Sequence, residues 1–322
     1  MARDFSPISF FQRTPNALLG RYCQEKHGVL GEIAFDELEE NGNTAEAIFQ
    51  SFSALPEPQQ AKIEAECQDI ESMAHQAGVM ALIDEATDLH KNAYFPHAIN
   101  EQDSFQGKVM WAFLEHPNYW TGATPNLYAE NIPDSSWKKR NDLPRVPPHG
   151  KQEDTERLED VLSHYFTNKE GRGRHCQVNV FRKGDQELFF ANLSDFGQAD
   201  PEWEGDRLNP RARLPSFEII FVYTQSAGSL DIHAPGNTKY VDDLAQIFAE
   251  AILKLGELDP FSKDNQVYKL DRLGHPRVRL KETQWLRHPV RCDQAPAPIV
   301  DGRRQAQGRR GGRPEAQPEG RL

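Results

Sequence analysis

The sequence predicts an α+β fold: an N-terminal all-helical region, an antiparallel β-meander of two hairpins covered by one long helix, and a disordered C-terminal tail. Three observations predict it. Apolar residues recur at spacings of three and four through residue 115, which is the helical period. From residue 175 the period changes to two, as in a half-buried strand. From residue 274 the chain has too few apolar residues for a core.

These changes divide the chain into four parts. We expect a helical domain over 1–115, a long loop rich in aromatic residues and proline over 116–150, a sheet domain over 151–273 and a disordered basic tail over 274–322. The 322 residues are 38% apolar, enough for substantial cores. We expect a soluble, cytoplasmic protein, because the sequence lacks a run of about 18 apolar residues and a signal peptide.

The charge is unevenly distributed along the chain. Residues 1–150 carry 11 basic and 22 acidic side chains, residues 151–273 carry 15 and 22, and residues 274–322 carry 11 and 5, giving the net charge of −12. An acidic body repels nucleic acids and anionic membranes. We therefore expect a protein partner and no membrane partner, with nucleic acid bound only through residues 275–322. The oligomeric state is not predicted.

Helices account for most of the first part and two stretches of the third. Thr14 and Pro15 predict a helix start, and Gly28 its end. Gly78 predicts a break between two apolar stripes. The predicted helices are 14–28, 44–54, 58–77, 79–89, 103–115, 153–168 and 238–256.

Prolines between residues 116 and 150 break every helical or strand repeat of apolar residues there, so regular secondary structure is not expected. The stretch also holds Tyr119, Trp120, Tyr128 and Trp137. Loops of this length are usually packed or functional. The aromatic rings either pin the loop onto the helices or form a ligand-binding lid.

Two hairpins form the predicted sheet. Gly184-Asp185 is a two-residue turn signal, and pairing outward from it sets Val178 opposite Ala191. A proline- and acid-rich excursion, 199–215, leads to the second hairpin. If its turn is Ser226-Ala227-Gly228, the opposed pairs include Val222 with Ile232, Tyr223 with Asp231 and Phe221 with His233. Residues 265–272 could add a fifth strand.

This pairing predicts one apolar sheet face against the helix at 238–256 and one polar face. Two imidazoles and a carboxylate on the polar face could perform acid–base chemistry, so His175, Asp231 and His233 are the candidate catalytic residues. The alternative is an ordinary solvated sheet face, or one buried against the N-terminal helices. The candidate binding residues are Gln177, Asn179, Asn192, Tyr223, Trp120 and Trp137.

Catalytic, nucleotide-binding and metal-binding signatures are absent from the sequence. Its four cysteines lie far apart, which indicates reduced thiols rather than disulfides or a zinc site. We expect no cofactor and no metal. The leading hypothesis is a protein-binding or regulatory module; the alternatives are a hydrolase or nuclease using the His/Asp cluster, and a nucleic-acid binder using the tail.

The tail allows three interpretations. Residues 274–322 hold one Lys and ten Arg, with many Gly, Pro and Gln. They could be a plain unstructured tail or an Arg-Gly arm that neutralises phosphates. The same composition results from reading a GC-rich region out of frame, which resequencing the DNA around the codons for residues 273–281 would decide.

Overall fold

The computed structural model describes residues 5–38, 44–148 and 151–259. It confirms the α+β class: helices come first, and antiparallel strands with covering helices follow. The predicted strand at 265–272 and the tail at 274–322 lie outside the described residues.

Eight α-helices occupy the described residues before 132, and some of them continue into turns of another helical type. The α-helices are α1 (Pro7–Arg13), α2 (Asn16–Gly20), α3 (Thr44–Ser53), α4 (Glu57–Met73), α5 (Gln76–Asp84), α6 (Phe95–Asn100), α7 (Phe105–Glu115) and α8 (Pro117–Asn131). π-helical turns extend α2 over Arg21–Lys26 and α5 over Glu85–Leu89. A short 3-10 helix spans Phe35–Glu37. Their apolar faces form one core, which includes the fully buried Phe10, Leu19, Tyr22, Phe52 and Phe95.

Several helix limits differ from the prediction. The helix predicted at 14–28 forms over residues 16–26: it begins at Asn16, because Pro15 is its N-cap rather than its first residue, and its π-helical extension ends at Lys26. The Thr14 hydroxyl donates backwards to the carbonyl of Phe10 (2.8 Å) instead of capping α2. The break expected at Gly78 lies at Ala74, and α5 begins after His75, whose ring accepts from the Gly78 amide.

The largest correction concerns the predicted loop at 116–150. Residues 117–131 form α8, because Pro117 occupies the first helical turn, where its missing N–H is tolerated. Pro125 lies inside the helix, and the helix is maintained by burial of Gly122, Ala123 and Leu127. Further on, a 3-10 helix (Asp134–Ser136) leads into strand β1 (Trp137–Arg140).

The main sheet has five antiparallel strands in the order β1-β7-β6-β3-β2. The strands after β1 are β2 (Cys176–Lys183), β3 (Gln186–Ser194), β6 (Ser216–Thr224) and β7 (Ser229–His233). The predicted excursion at 199–215 contains β4 (Gln198–Glu204) and β5 (Arg207–Arg213), which form a separate two-stranded sheet that the sequence analysis did not predict. Its turn, Gly205-Asp206, repeats the Gly184-Asp185 dipeptide of the first hairpin.

The core face of the sheet is covered by two helices. They are α9 (Gln152–Glu170) and α10 (Val241–Phe248), the second preceded by a 3-10 helix (Thr238–Tyr240) and extended by a π-helical turn (Ala249–Leu253). Phe248 is fully buried, and its ring lies 5.1 Å from those of Phe189 and Phe221. On the opposite face, Leu188, Phe190 and Ile220 pack against the end of α8 through Ala129 and Ile132.

Candidate functional site

The first hairpin has the predicted register, and the second is shifted by one residue. Val178 pairs with Ala191 as expected, and Gly184 has the positive φ (59°) of the turn. In the second hairpin the turn has four residues, 225–228, so Val222 pairs with Asp231 and Phe221 with Ile232. A shift of one residue moves alternate side chains to the other face.

The shift moves two predicted aromatic residues off the polar face. Phe221 and Tyr223 are fully buried in the core beneath α10. The Tyr223 hydroxyl lies 2.8 Å from the backbone carbonyls of Pro144 and Val146. Tyr223 therefore anchors the segment before α9, and its predicted role in the exposed binding face is wrong.

The predicted polar residues do alternate onto one face, away from α10. Gln177 and Asn192 are opposed across β2 and β3, and Asn179 pairs with Phe190. Gln177 and Asn179 are exposed, whereas Asn192 is half-buried. Trp120 lies elsewhere, in α8, with its ring 5.1 Å from that of Phe113 in the helical core.

His175 lies too far from Asp231 and His233 to share a site with them. Its backbone bonds to Ser194, which pairs with Ser216 in β6, whereas His233 pairs with Ile220. Three strand spacings and four residues along β6 separate the two histidines, roughly 20 Å. The predicted three-residue catalytic cluster is wrong in this respect, because a polar pattern fixes the face and not the strand order.

Asp231 and His233 both contact β1 or the 3-10 turn just before it. Lys139 Nζ of β1 lies 3.0 Å from Asp231 Oδ2, while burial raises the pKa of this carboxyl group and Lys139 opposes the rise. His233 Nδ1 lies 3.3 Å from the carbonyl of Ser136, and its ring is 5.4 Å from that of Trp137.

A carboxylate missed by sequence reasoning completes this region. Glu218 of β6 lies on the same sheet face as His233 of β7, two residues from Ile220, the partner of His233. The Tyr128 hydroxyl of α8 donates a hydrogen bond to Glu218. Burial raises the pKa of Glu218, while Tyr128 and His233 oppose the rise. The register shift concealed Glu218, and the apparent loop concealed Tyr128. Tyr128 is 51% exposed, so a ligand at the surface can reach its hydroxyl next to the half-buried Glu218. A carboxyl group, a phenol and an imidazole on one sheet face are residue types that general acid–base catalysis uses.

We call β4 and β5 with their turn the ribbon. It is a surface in which apolar side chains are exposed on two paired strands. It extends the connection between the neighbouring strands β3 and β6, and the Asp195 amide donates to the Pro215 carbonyl (2.7 Å) at its base. All seven residues of β5 and five of the seven in β4 are exposed.

The ribbon has one apolar face and one charged face. Its apolar face consists of three opposed pairs: Ala199 with Ala212, Pro201 with Pro210, and Trp203 with Leu208. Trp203 is 66% exposed and Leu208 53%. On the charged face Arg211 lies 3.2 Å from Glu202, and Arg213 pairs with the same carboxylate.

The paired prolines restrict what the ribbon can bind. Pro201 and Pro210 have no N–H groups to donate from the ribbon edges. Another strand therefore gains fewer hydrogen bonds by adding to either edge. The apolar face is left as the main contact surface.

Two absences within the described ranges bear on other functions. No helix within 5–38, 44–148 and 151–259 is long and apolar enough to cross a membrane. The same residues contain no group of three or more His, Cys, Asp or Glu side chains that could hold a metal ion. In comparisons with known proteins, no protein-family model, curated protein or solved structure matches this chain.

Proposed function

We propose that this chain is a protein-binding module that inserts its ribbon into an apolar groove of a partner protein. The observation that carries the proposal is the exposed apolar face of the ribbon, where Trp203 and Leu208 are opposed. Exposed apolar patches of this kind are typical of interaction sites. Tryptophan is also the residue type most enriched among side chains that dominate binding energies.

The dimensions of the ribbon favour a groove over a flat contact. Seven residues per strand in two strands cover roughly 24 Å by 10 Å, or about 240 Å². A stable interface buries about 800 Å² on each partner, so two ribbons stacked face to face fall well short. A groove that encloses the apolar face and both edges would bury more of the same ribbon.

Charge indicates the chemistry of the groove. The chain has a net charge of −12, and the ribbon itself contributes little of it: four acidic residues against three arginines over 198–213. The groove is expected to have an apolar floor beneath Trp203 and a basic rim facing the acidic body. The same acidity disfavours insertion of the ribbon into a nucleic-acid groove.

Site-specific photocrosslinking tests the proposal. A benzophenone side chain is placed at position 208 on the apolar face or at position 209 on the charged face, and each full-length chain is irradiated in source lysate. Only position 208 should give a discrete protein adduct. Unlabelled wild-type chain should compete for it, and the Trp203→Ser variant should not.

The adduct protein is then purified and its binding measured directly. We expect Trp203→Ser to weaken binding by roughly 30-fold, the effect of a hot-spot residue. The matched control is Tyr94→Ser, since Tyr94 is 65% exposed in the helical part. The proposed groove would be contradicted by equal adducts at positions 208 and 209. It would also be contradicted if the only adduct formed were with a second copy of this chain, or with nucleic acid.

The enzymatic alternative is now restricted to the Glu218, His233 and Tyr128 group. The observation that favours it is the half-buried carboxylate with a raised pKa beside an imidazole. If a hydrolase substrate panel shows turnover, Glu218→Gln should abolish it and His175→Ala should leave it unchanged. The nucleic-acid alternative falls on residues 275–322, outside the described ranges, and deleting them remains its test.

A further inference from the structure

One arginine lies at the root of the ribbon, where β3 and β6 continue into β4 and β5. Arg172 belongs to the connection between α9 and β2, and its side chain is only 15% exposed. The next residue holds it there: Gly173 has a positive φ (79°), and its amide donates to the Ser194 carbonyl at the end of β3 (2.7 Å). A side chain on Gly173 would overlap Phe166, so this close approach requires glycine.

The guanidinium group of Arg172 binds three separate parts of the fold. Its Nε and Nη2 atoms lie 2.8 and 2.7 Å from Glu170 Oε2 at the end of α9. Nη2 also lies 2.8 Å from Oδ1 of Asn237, a residue that is 1% exposed and precedes α10. Nη1 lies 3.1 Å from Oδ1 of Asp195, the first residue after β3. Arginine carries its donors in a planar fork and can bond several acceptors at once, whereas lysine offers a single ammonium group.

Arg172 also connects the two strands at the root of the ribbon. Besides binding Arg172, Asp195 donates its amide to the Pro215 carbonyl just before β6 (2.7 Å). The guanidinium carbon lies 4.1 Å from the centre of the Phe217 ring in β6 and 5.9 Å from that of Phe196. A guanidinium group over an aromatic ring is attracted to it. One side chain therefore joins both strands of the root to the ends of two neighbouring elements.

The strand register changes at the same root. The last pair of the main sheet is Ser194 with Ser216, and the first pair of the ribbon is Gln198 with Arg213. Between these pairs, three residues on one strand lie opposite two on the other. An extra residue of this kind is a β-bulge, which bends and twists the paired strands. Because a two-stranded sheet is only marginally stable by itself, the direction of the ribbon should depend on the contacts made at this bulge.

We propose that Arg172 is a positioning residue that fixes the direction in which the ribbon leaves the main sheet. The consequence for binding rests on the proposed function, since a ribbon that enters a groove must point toward it. A ribbon already held in one direction loses less conformational freedom on binding, and such pre-organisation strengthens binding. Without Arg172 the apolar face keeps its residues, but only a fraction of the molecules present it in the direction that the groove accepts.

Distances between spin labels test the positioning role without a partner. Spin-labelled non-natural amino acids are placed at two exposed positions of the full chain, 209 in the ribbon and 160 in α9, and pulsed electron resonance gives the distribution of their separation. We expect a narrow distribution in the wild type and one roughly twice as broad in Arg172→Lys, which keeps the charge but lacks the fork. A second pair of labels, at positions 160 and 227, excludes the ribbon and should keep its width in both proteins.

Two further variants separate the root from the rest of the ion cluster. Lys239→Ala is the matched control, because it removes a cation from the same carboxylate, that of Glu170 (3.2 Å), and leaves Asp195 paired with Arg172. Both distributions should stay narrow in this variant. If Arg172→Lys does not fold, Asp195→Ala removes the acceptor at the root and keeps the other bonds of Arg172. It should broaden the 160–209 distribution as well.

Binding to the purified adduct protein shows what the direction contributes. Arg172→Lys should weaken binding roughly fivefold, if about one molecule in five keeps the competent direction. A narrow 160–209 distribution in both Arg172→Lys and Asp195→Ala overturns the positioning role. A broadened distribution with unchanged binding overturns its consequence for binding and leaves the groove in place. If no partner is captured, the proposed function fails, and the spin-label distances still decide whether Arg172 directs the ribbon.

Discussion

The contact between Gly122 and Glu85 predicts a strong coupling between two positions 37 residues apart in sequence. In an ordinary helix interior, Gly→Ala stabilises by about 1 kcal/mol. Here the added methyl group would overlap a carboxylate that is buried beneath α8 and cannot move without losing its contact with His90. Overpacking of this kind costs about 1–3 kcal/mol. Gly122→Ala should therefore destabilise the protein by up to about 2 kcal/mol in net terms.

When Glu85 is also replaced by alanine, the effect of Gly122→Ala on the free energy of unfolding should change sign. In a Glu85→Ala background the carboxylate that the methyl group would overlap is gone, so Gly122→Ala should stabilise by about 0.5–1 kcal/mol. The coupling energy between the two positions is then the overpacking cost itself, about 1–3 kcal/mol. Urea unfolding of the wild type, both single variants and the double variant measures it. Additive free energies of unfolding would refute the close approach of α8 to Glu85.

Three further predictions concern the core, an anchor and the pH dependence of stability. Phe248→Ala should lower the free energy of unfolding by about 3–5 kcal/mol in urea titrations, because the ring is fully buried against Phe189 and Phe221; the exposed Phe105→Ala is the control, expected within about 0.5 kcal/mol. Tyr223→Phe should cost about 1–2 kcal/mol and speed hydrogen exchange of residues 143–146; unchanged exchange there would contradict the anchor. The raised pKa of Glu218 means that the folded state holds this proton more tightly than the unfolded chain does, so its contribution to stability is lost as pH rises from the ordinary value of 4.5 through the raised pKa. Glu218→Gln should flatten this part of the stability–pH curve, and an unchanged slope would argue against burial of the carboxyl.

The sequence predicts the strand register correctly where a two-residue turn joins the two strands. Gly184-Asp185 allows only a two-residue turn, so the first register follows from it. In the second hairpin the Gly228 amide donates to the Thr224 carbonyl (2.9 Å), closing a four-residue turn that composition does not distinguish from a three-residue one. That single residue determined whether Tyr223 faced the core or the proposed site.

The candidate sites depend on tertiary packing, which the local sequence pattern does not show. The sequence predicts a loop where α8 forms, because Pro125 interrupts the helical pattern; burial of Gly122 and Leu127 against neighbouring elements maintains the helix. Within the predicted helices 103–115 and 153–168, the apolar residues Phe105 and Val161 are 48% and 36% exposed, because helical periodicity does not define where the buried stripe ends. The ribbon could have been found: Gly205-Asp206 lies between strands in which Ala199, Pro201 and Trp203 alternate with charged residues.

The position of β1 in the sheet has a consequence for synthesis of the chain. Its residue Lys139 pairs with Asp231, 92 residues later. At about 5–20 residues per second, β1 leaves the ribosome some 5–20 s before its partner strand does. During that interval the hydrogen-bonding edge of β1 is open to the nascent helices and to other chains. A chaperone that shields residues 137–140 should therefore raise the yield of correctly folded protein.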